Sequence, residues 1–271
     1  MNSLVLADGR RLAYRDSGSG PALVLLHGWA MSSVVFSELS AELSRDFRVL
    51  APDLRGHGGS DPGSGYGCSA FAADLSEWFT HLDLRDAALL GWSLGGEVAL
   101  TLAADAPLRS RLRALVLVAT TPRFCAGDDW TAGLPATQLR ALARDLRRNY
   151  RKTMGDFFAL QFSGETLPKE RHQEILRFAV RAGRLPEPEI ALAGLDTLGQ
   201  EDLRDLLPQL QLQLPTLVVH GELDRIVLPE AGRFLAATLP QARLELWPEV
   251  GHAPFISDPL RFCSLLRTFL A

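Results

Sequence analysis

The sequence predicts an α/β fold, with a mostly parallel central sheet, helices on both faces and a helical cap over the carboxyl edge of the strands. Short apolar runs alternate with segments of helical period, which is typical of a parallel sheet joined by right-handed crossovers. Residues 22–26 are apolar throughout, as expected of a strand that is covered on both faces. Residues 121–207 interrupt the alternation, because they hold helical segments and no convincing strand.

The first part of the chain carries most of the predicted strands. A hairpin is expected to turn at Asp8-Gly9, since this dipeptide is a strong short-range hairpin signal. Strands are then predicted over residues 21–26, 47–51, 87–90 and 114–119, and helices over residues 33–43, 69–81 and 97–104.

After residue 120 the sequence predicts only helices until the alternation resumes near residue 214. The helices cover residues 135–162, 169–182, 187–198 and 201–207, and prolines separate them. Two strands (214–221 and 242–247) and two helices (229–238 and 258–270) follow, with Pro259 at the favoured first position of the last helix. We therefore expect a core of residues 1–120 and 208–271 and a helical cap insertion of residues 121–207.

Composition and charge narrow the class of protein. A chain of 271 residues with 47% hydrophobic and 22% charged residues can bury a full core. A net charge of −4 gives no sign of affinity for nucleic acid or anionic membranes. The three cysteines show no metal-binding spacing and argue against a disulfide framework, and we see neither a signal peptide nor a membrane span. We expect a soluble, cytoplasmic monomer.

A candidate nucleophile lies between the strand at 87–90 and the following helix. Gly91-Trp92-Ser93-Leu94-Gly95 has the pattern Gly-x-Ser-x-Gly, in which the serine occupies a sharp strand-to-helix turn that exposes its hydroxyl. The pentapeptide alone could equally be an incidental loop. Its interpretation therefore depends on a base and an acid elsewhere in the chain.

Two later loops supply that base and acid. A serine hydroxyl needs a base to remove its proton, and the base needs an acid that orients it. His252 and Asp224 each follow a predicted strand, so both should reach the same sheet edge as Ser93. Glu222 is a rival acid, whereas we assign His57 and Asp53 to loop structure.

An oxyanion hole requires two backbone N–H donors near the nucleophile. One should come from the residue after the serine, Leu94, and the other from the loop after the strand at 21–26. In His27-Gly28-Trp29 the expected donor is Trp29.

These motifs identify a resemblance that covers nearly the whole chain. The order Ser, Asp, His resembles that of the α/β-hydrolases. Within them, the chain is similar to the family of pimeloyl-[acyl-carrier protein] methyl ester esterases of biotin synthesis. The narrower match lies in Leu26-His-Gly-Trp29, Gly91-Trp-Ser-Leu-Gly-Gly96, Val118-Ala-Thr-Thr-Pro-Arg-Phe-Cys125, Asp129-Trp130, Phe158-Ala-Leu-Gln161, Gly194-Leu-Asp-Thr-Leu198, Asp202-Leu-Arg204, His252-Ala-Pro-Phe-Ile-Ser257 and Phe262-Cys263.

The resemblance implies a serine carboxylesterase that needs neither a metal nor an organic cofactor. Its substrate would be an acyl chain with a methyl ester at one end and an acyl-carrier protein at the other. Serine as the nucleophile excludes the dehalogenase and epoxide-hydrolase branches, which use a carboxylate. The residues implied to contact the acyl chain and ester are Trp29, Ser93, Leu94, Phe157, Phe158, Ala159, Leu160, Gln161 and His252.

A basic stripe in the cap suggests where the carrier protein docks. Apolar residues recur every three or four positions between residues 139 and 157, which predicts one amphipathic helix. The basic residues opposite them are Arg140, Arg144, Arg147, Arg148, Arg151 and Lys152. These residues could dock an acidic carrier protein, or they could form an ordinary solvated helix face.

Other functions remain open for the same fold. The chain could be a short-chain carboxylesterase of broad specificity, or a carbon–carbon hydrolase or lyase of this fold. It could also be a ligand receptor that keeps the triad without catalysis.

Overall fold

A computed structural model describes residues 1–181, 185–210 and 214–271 of the chain. Its eight strands form one sheet in the order β1-β2-β4-β3-β5-β6-β7-β8. The strands are β1 (Asn2–Val5), β2 (Arg11–Ser17), β3 (Ala22–Leu26), β4 (Arg48–Pro52), β5 (Ala87–Trp92), β6 (Leu112–Val118), β7 (Thr216–Gly221) and β8 (Ala242–Trp247).

Helices connect these strands. They are α1 (Ser37–Leu43), α2 (Cys68–His81), α3 (Leu94–Ala104), α4 (Ala106–Arg109), α5 (Ala136–Arg148), α6 (Tyr150–Leu160), α7 (Lys169–Arg181), α8 (Pro188–Gln200), α9 (Pro229–Thr238), α10 (Pro254–Ser257) and α11 (Pro259–Leu270), with 3-10 turns at Ser33–Phe36 and Arg204–Leu210. The last residue of the helix predicted over 169–182 lies outside the described residues. No helix in the described ranges combines the length and apolar composition needed to cross a bilayer.

The mostly parallel sheet that the sequence predicts is confirmed. The strands from β4 through β3 to β8 pair in parallel, whereas β1–β2 and β2–β4 pair antiparallel. The antiparallel β1–β2 pair is the hairpin expected at Asp8-Gly9, and Gly9 there has a φ of 85°. Since β3 to β8 run in one direction, the loops after β3, β5, β7 and β8 meet at one edge of the sheet.

The core lies on both faces of the sheet because alternate residues of each central strand point to opposite sides. In β3, Val24 and Leu26 belong to one buried cluster, and Leu23 and Leu25 belong to the other. All four are fully buried, which explains why this strand reads as a continuous apolar run.

The single helix predicted over residues 135–162 is wrong, because two helices occupy this stretch. Asn149 has φ −153° and ψ 80°, so the α5 geometry ends there, and its side-chain oxygen accepts a hydrogen bond from Lys152 N–H as the N-cap of α6. Asparagine is a favoured residue at helix N-caps. The spacing of apolar residues cannot reveal a single residue of extended backbone, so the sequence predicts one helix. The helix predicted over residues 201–207 is likewise replaced by the 3-10 turn Arg204–Leu210.

Helices α5 to α8 lie in the chain between β6 and β7. Buried side chains of α5, α6 and α8, such as Leu146, Met154 and Leu195, share a hydrophobic cluster with Leu26 of β3 and Val98 of α3. Helices α5, α6 and α8 therefore pack against the hydrophobic cluster on one face of the sheet. The division into a core and a cap of residues 121–207 remains a prediction.

Candidate active site

Ser93 lies on a strained turn between β5 and α3. Its backbone has a φ of 56° and a ψ of −124°, in a region that residues other than glycine rarely adopt. Two hydrogen bonds hold the turn, because Ser93 N–H donates to Val118 O at 2.9 Å and Thr120 Oγ1 donates to Ser93 O at 2.7 Å. The turn is therefore fixed to the end of β6.

Glycines on each side of Ser93 permit this close packing. A Cβ atom at Gly91 would lie 2.2 Å from Gly95 O, and a Cβ at Gly95 would lie 2.3 Å from Leu26 O. Contacts this short exclude any larger residue, so strand, turn and helix can approach only with glycine here. The two glycines of the Gly-x-Ser-x-Gly pattern thus have a steric role.

His252 and Asp224 form a buried hydrogen-bonded pair. The distance from His252 Nδ1 to Asp224 Oδ2 is 2.8 Å, and both residues are almost completely buried. Since an ionised carboxylate can only accept, His252 Nδ1 carries a proton, and in the neutral imidazole Nε2 then keeps a free lone pair. The histidine therefore has the tautomer that a base needs.

The Asp224 carboxylate is held ionised. Its Oδ1 accepts hydrogen bonds from Ile226 N–H at 2.8 Å and Val227 N–H at 3.0 Å, and His220 Nε2 lies 3.3 Å from Oδ2. Burial by itself raises the pKa of Asp224, but the charge of His252 and hydrogen bonds from His220 and His252 outweigh it. The pKa of Asp224 consequently lies below its usual range.

Ser93 and His252 line the same small cavity of about 20 Å³. In the described part of the chain no hydrogen bond joins their side chains. Such contacts commonly tighten only when substrate binds. The arrangement can support nucleophilic attack by Ser93 with His252 as the base.

The loop after β3 packs against the nucleophile turn. A Cβ at Gly28 would lie 3.1 Å from Ser93 Cβ, so the loop packs directly on the serine. His27 braces it, because His27 Nε2 accepts from Leu54 N–H at 3.0 Å and Nδ1 lies 2.9 Å from Gly28 O. Neither Trp29 N–H nor Leu94 N–H has a backbone acceptor among the described residues; Trp29 lines the cavity of Ser93, and Leu94 directly follows Ser93 in the chain.

Trp29 also links this loop to the predicted cap. Its indole Nε1–H donates to Ala191 O of α8 at 2.8 Å. Its ring meets Phe157 of α6 edge-on, with 4.9 Å between the ring centroids. The side chain is thereby fixed, and the backbone N–H of Trp29 with it.

A second cavity of about 700 Å³ adjoins the one beside Ser93. Phe124, Leu142, Phe157 and Ile226 line both, so the two are neighbours separated by apolar side chains. The charged residues that line the larger cavity are Asp145, Arg148, Lys152, Asp156 and Arg225. A larger cavity with apolar and charged walls therefore lies next to the cavity of the nucleophile.

The structure brings only some of the expected acyl-contact residues to Ser93. Trp29, Phe157 and Gln161 line the small cavity, and Leu160 lines the large one. Phe158 and Ala159 instead line a separate cavity of about 380 Å³. Successive residues of a helix point in different directions, so the match at residues 158–161 could not distinguish them.

Gln161 is buried with both atoms of its amide unpaired. Within the described residues its Oε1 and Nε2 have no hydrogen-bond partner, and only about 1% of the residue is exposed. A buried amide without partners is costly, and this one lines the cavity of Ser93. It is therefore available to a ligand.

The six basic residues of α5 and α6 are all exposed, but they differ in their surroundings. Lys152 pairs with Asp156 at 2.6 Å, and Arg144 pairs with Asp145 at 2.9 Å. Only Arg148 and Lys152 line the large cavity. The remaining members of the set, Arg140, Arg147 and Arg151, make no close ion pair within the described ranges.

The residues that we set aside hold loops. Asp53 accepts hydrogen bonds from Ser33 N–H at 2.7 Å and Gly59 N–H at 2.8 Å. His57 is buried, with its Nδ1 placed 2.9 Å from Arg55 O. Glu222, the rival acid, is exposed and lies 3.7 Å from Arg233, whereas His252 contacts Asp224.

Sequence reasoning missed several residues of the site. Phe124, Leu195, Leu198 and Ile226 line the cavity beside Ser93, and His220 contacts the acid. Phe124, Leu195 and Leu198 lie within stretches that carry the family resemblance, but nothing in the sequence assigned them to the site, and only burial marks His220. Among the described residues, no group of three or more His, Cys, Asp or Glu side chains could hold a metal ion.

Comparison with known proteins agrees with this geometry. The sequence profile of the α/β hydrolase fold family matches residues 21–259. The chain is 39% identical to the pimeloyl-[acyl-carrier protein] methyl ester esterase of Nitrosomonas europaea, over 92% of this chain and 95% of that one. It is 37% identical to the protein of the same name from Cronobacter sakazakii, over 95% of this chain and 96% of that one.

Among solved structures, an esterase from Exiguobacterium antarcticum is similar over 99% of this chain and 98% of its own. The TM-score is 0.89 and the sequence identity is 27%.

Proposed function

The chain belongs to the α/β-hydrolase family, and we propose that it is a serine carboxylesterase that hydrolyses pimeloyl-[acyl-carrier protein] methyl ester to pimeloyl-[acyl-carrier protein] and methanol. The observation that carries the chemistry is the 2.8 Å bond from His252 Nδ1 to Asp224 Oδ2, beside a serine on a strained turn. The identity to the methyl ester esterases carries the choice of substrate.

In the first half of the reaction the enzyme becomes acylated. Ser93 Oγ attacks the methyl ester carbonyl while its proton passes to His252 Nε2, and Asp224 stabilises the imidazolium. The tetrahedral oxyanion accepts hydrogen bonds from Trp29 N–H and Leu94 N–H. Its collapse breaks the bond to the methoxy group, which leaves as methanol with the proton from His252.

Water completes the second half. It takes the place of methanol, gives a proton to His252 Nε2 and attacks the acyl carbonyl. Collapse of this second oxyanion returns the proton to Ser93 and releases the free carboxyl group. The thioester to the carrier stays intact because only the distal ester reaches Ser93.

The shape of the site supports a long acyl substrate. The small cavity fits the ester end, and the larger, mainly apolar cavity beyond Leu142 and Phe157 can cover a methylene chain. Gln161 offers its unpaired amide to the ester region.

The basic residues of α5 and α6 support docking of an acidic carrier protein. Arg148 is exposed and lines the large cavity, and Arg140, Arg147 and Arg151 are exposed on the same two helices. Such charges mainly raise the association rate and orient the partner. We propose that Arg148 contacts the carrier, with Arg140, Arg144, Arg147, Arg151 and Lys152 as the wider docking surface.

A short-chain esterase of broad specificity is the second candidate. The observation that favours it is the small size of the cavity at Ser93, about 20 Å³, which suits a short acyl group. A catalytically silent receptor with the same fold would bind esters without cleaving them.

Two experiments separate these functions. A burst of product from a chromogenic ester, absent in Ser93→Ala, would establish covalent catalysis, and no burst in the wild type would reject it. Rescue of a biotin auxotroph that lacks its methyl esterase would establish the narrow substrate. Failure of rescue by an enzyme with a normal burst would favour the broad esterase.

The monomeric state and the cytoplasmic location stay predictions from the sequence. Light scattering coupled to size-exclusion chromatography tests the first, and cell fractionation tests the second.

A further inference from the structure

The segment after α6 is bonded to the loop that carries the proposed base. His252 N–H donates to Gln161 O at 2.8 Å, and Gly251 N–H donates to Glu165 Oε1 at 2.7 Å. The hydroxyl of Ser257 donates to the same Glu165 oxygen at 3.0 Å, and Ala253 O lies at 3.2 Å as its alternative acceptor. Glu165 therefore holds the chain on both sides of His252.

The packing at this contact leaves little freedom. A Cβ at Gly251 would lie 2.3 Å from Gln161 O and 2.9 Å from Glu165 Oε1. From the opposite side, Trp92 Nε1–H donates to His252 O at 2.9 Å. The histidine loop is thus clamped between β5 and the segment of residues 161–165.

Glu165 uses its two carboxyl oxygens unequally. Oε1 accepts both hydrogen bonds, whereas Oε2 is buried and has no partner among the described residues. Burial, with a smaller contribution from the charge of Asp224, raises the pKa of Glu165 by more than the bonds from Gly251 and Ser257 lower it, so this pKa lies above its usual range. Burying a carboxyl group costs free energy, and the two hydrogen bonds to Glu165 Oε1 offset part of that cost.

Glu165 does not touch the reacting groups. Its side-chain hydrogen bonds within the described residues come from Gly251 N–H and the Ser257 hydroxyl, and the acid that meets the His252 ring is Asp224. The charges of Glu165 and Asp224 also interact, so a variant that removes the charge but keeps the acceptor separates loop position from electrostatics.

We propose that Glu165 is a positioning residue that fixes the His252 ring relative to Ser93 by holding Gly251 and Ser257. It also ties the histidine loop to the segment that presents Phe157 and Gln161 to the substrate. This inference rests on the proposed serine esterase activity. It predicts a loss in kcat more than in KM, because the substrate-lining side chains remain.

The test compares Glu165→Ala with the conservative Glu165→Gln on a small chromogenic ester. The alanine variant should lower kcat by about 10- to 100-fold with KM changed less than about twofold, since small misplacements cost this much. The glutamine variant keeps an acceptor oxygen for both donors and should stay within about threefold of the wild type. The exposed Glu170→Ala is the matched surface control.

A second readout follows His252 itself. The downfield proton resonance of His252 Nδ1–H, hydrogen-bonded to Asp224, should be sharp in the wild type and in Glu165→Gln. It should broaden or shift in Glu165→Ala. A folded alanine variant with wild-type kcat and an unmoved resonance would overturn the proposal, as would a glutamine variant as defective as alanine.

Two further outcomes remain decisive. If Glu165→Ala does not fold, Ser257→Ala is the substitute variant, because it removes one of the two donors to Glu165. Its kcat should fall a few-fold, and an unchanged kcat together with an unchanged His252 resonance would overturn the proposal. If the wild type shows no burst, the esterase assignment fails, whereas the resonance still decides whether Glu165 positions His252.

Discussion

Replacing Asp224 with asparagine tests the proposed triad most sharply. Asn Oδ1 can keep the bonds from Ile226 N–H and Val227 N–H, so the loop should stay folded. Its Nδ2 then occupies the place of Oδ2, which lies 2.8 Å from His252 Nδ1 and 3.3 Å from His220 Nε2. An amide nitrogen donates hydrogen bonds, so His252 must present a lone pair at Nδ1 and carry its proton on Nε2.

The proton then faces Ser93, and the base is lost. Serine hydrolases with this change lose about 10⁴-fold in kcat, which corresponds to about 5 kcal/mol in the activation free energy. Burst kinetics on a chromogenic ester measure the acylation rate, and thermal unfolding checks that the variant is folded. Glu222→Gln, which alters the exposed neighbouring acid, is the matched control and should stay within about twofold.

The opposite pattern would refute this reasoning. If Asp224→Asn kept more than about a tenth of the wild-type acylation rate, Asp224 would not be the orienting acid. A large loss in Glu222→Gln with a normal Asp224→Asn would transfer that role to Glu222.

The remaining predictions concern the carrier, the acyl chain and pH. Arg148→Glu should lower kcat/KM for the carrier-bound ester about 5- to 10-fold at low salt and less at high salt. Arg140→Glu, which changes a residue outside the cavity lining, should have a smaller effect. If steady-state kinetics showed equal losses on a free small ester, docking at Arg148 would be contradicted. Leu142 lines both cavities, so Leu142→Trp should narrow the space between them. We expect kcat/KM to fall about 10-fold for the long acyl substrate but less than about threefold for an acetate ester. Equal losses on both substrates would contradict an acyl chain that extends from one cavity into the other. Burial, with a smaller contribution from His27, lowers the pKa of His57 to about 3, so the unfolded state binds this proton first as the pH falls. Between about pH 6.5 and pH 5 the free energy of unfolding should therefore drop by about 1.6 kcal/mol more in the wild type than in His57→Asn. Urea unfolding at several pH values measures this, and an equal pH dependence of the two proteins would refute it.

The sequence was most informative where chemistry and sterics restrict the residue type. Gly91 and Gly95 flank Ser93 because a Cβ at either would meet backbone atoms at 2.2 to 2.3 Å, so the turn leaves a readable pattern. The buried strands are readable for a related reason, since a strand covered on both faces tolerates few polar residues.

The sequence was least informative where the backbone conformation of a single residue decides how helices and side chains are arranged. Asn149 ends α5 and starts α6, so the basic residues do not lie along one continuous helix, although their spacing fits one. Phe158 likewise carries a narrow family match but lines a cavity apart from Ser93.

The sequence by itself determined the fold class, the nucleophile turn and the order of the candidate triad, because each depends on local residue types that the turn or strand requires. Only the tertiary structure decided which side chains share the cavity of Ser93, which basic residues line the larger neighbouring cavity, and that Glu165 bonds to the loop of His252. Residues 165 and 251 are far apart in the chain, and a glutamate that accepts two hydrogen bonds there leaves no local pattern. Such contacts depend on how separate elements pack, and that packing is fixed by the whole core.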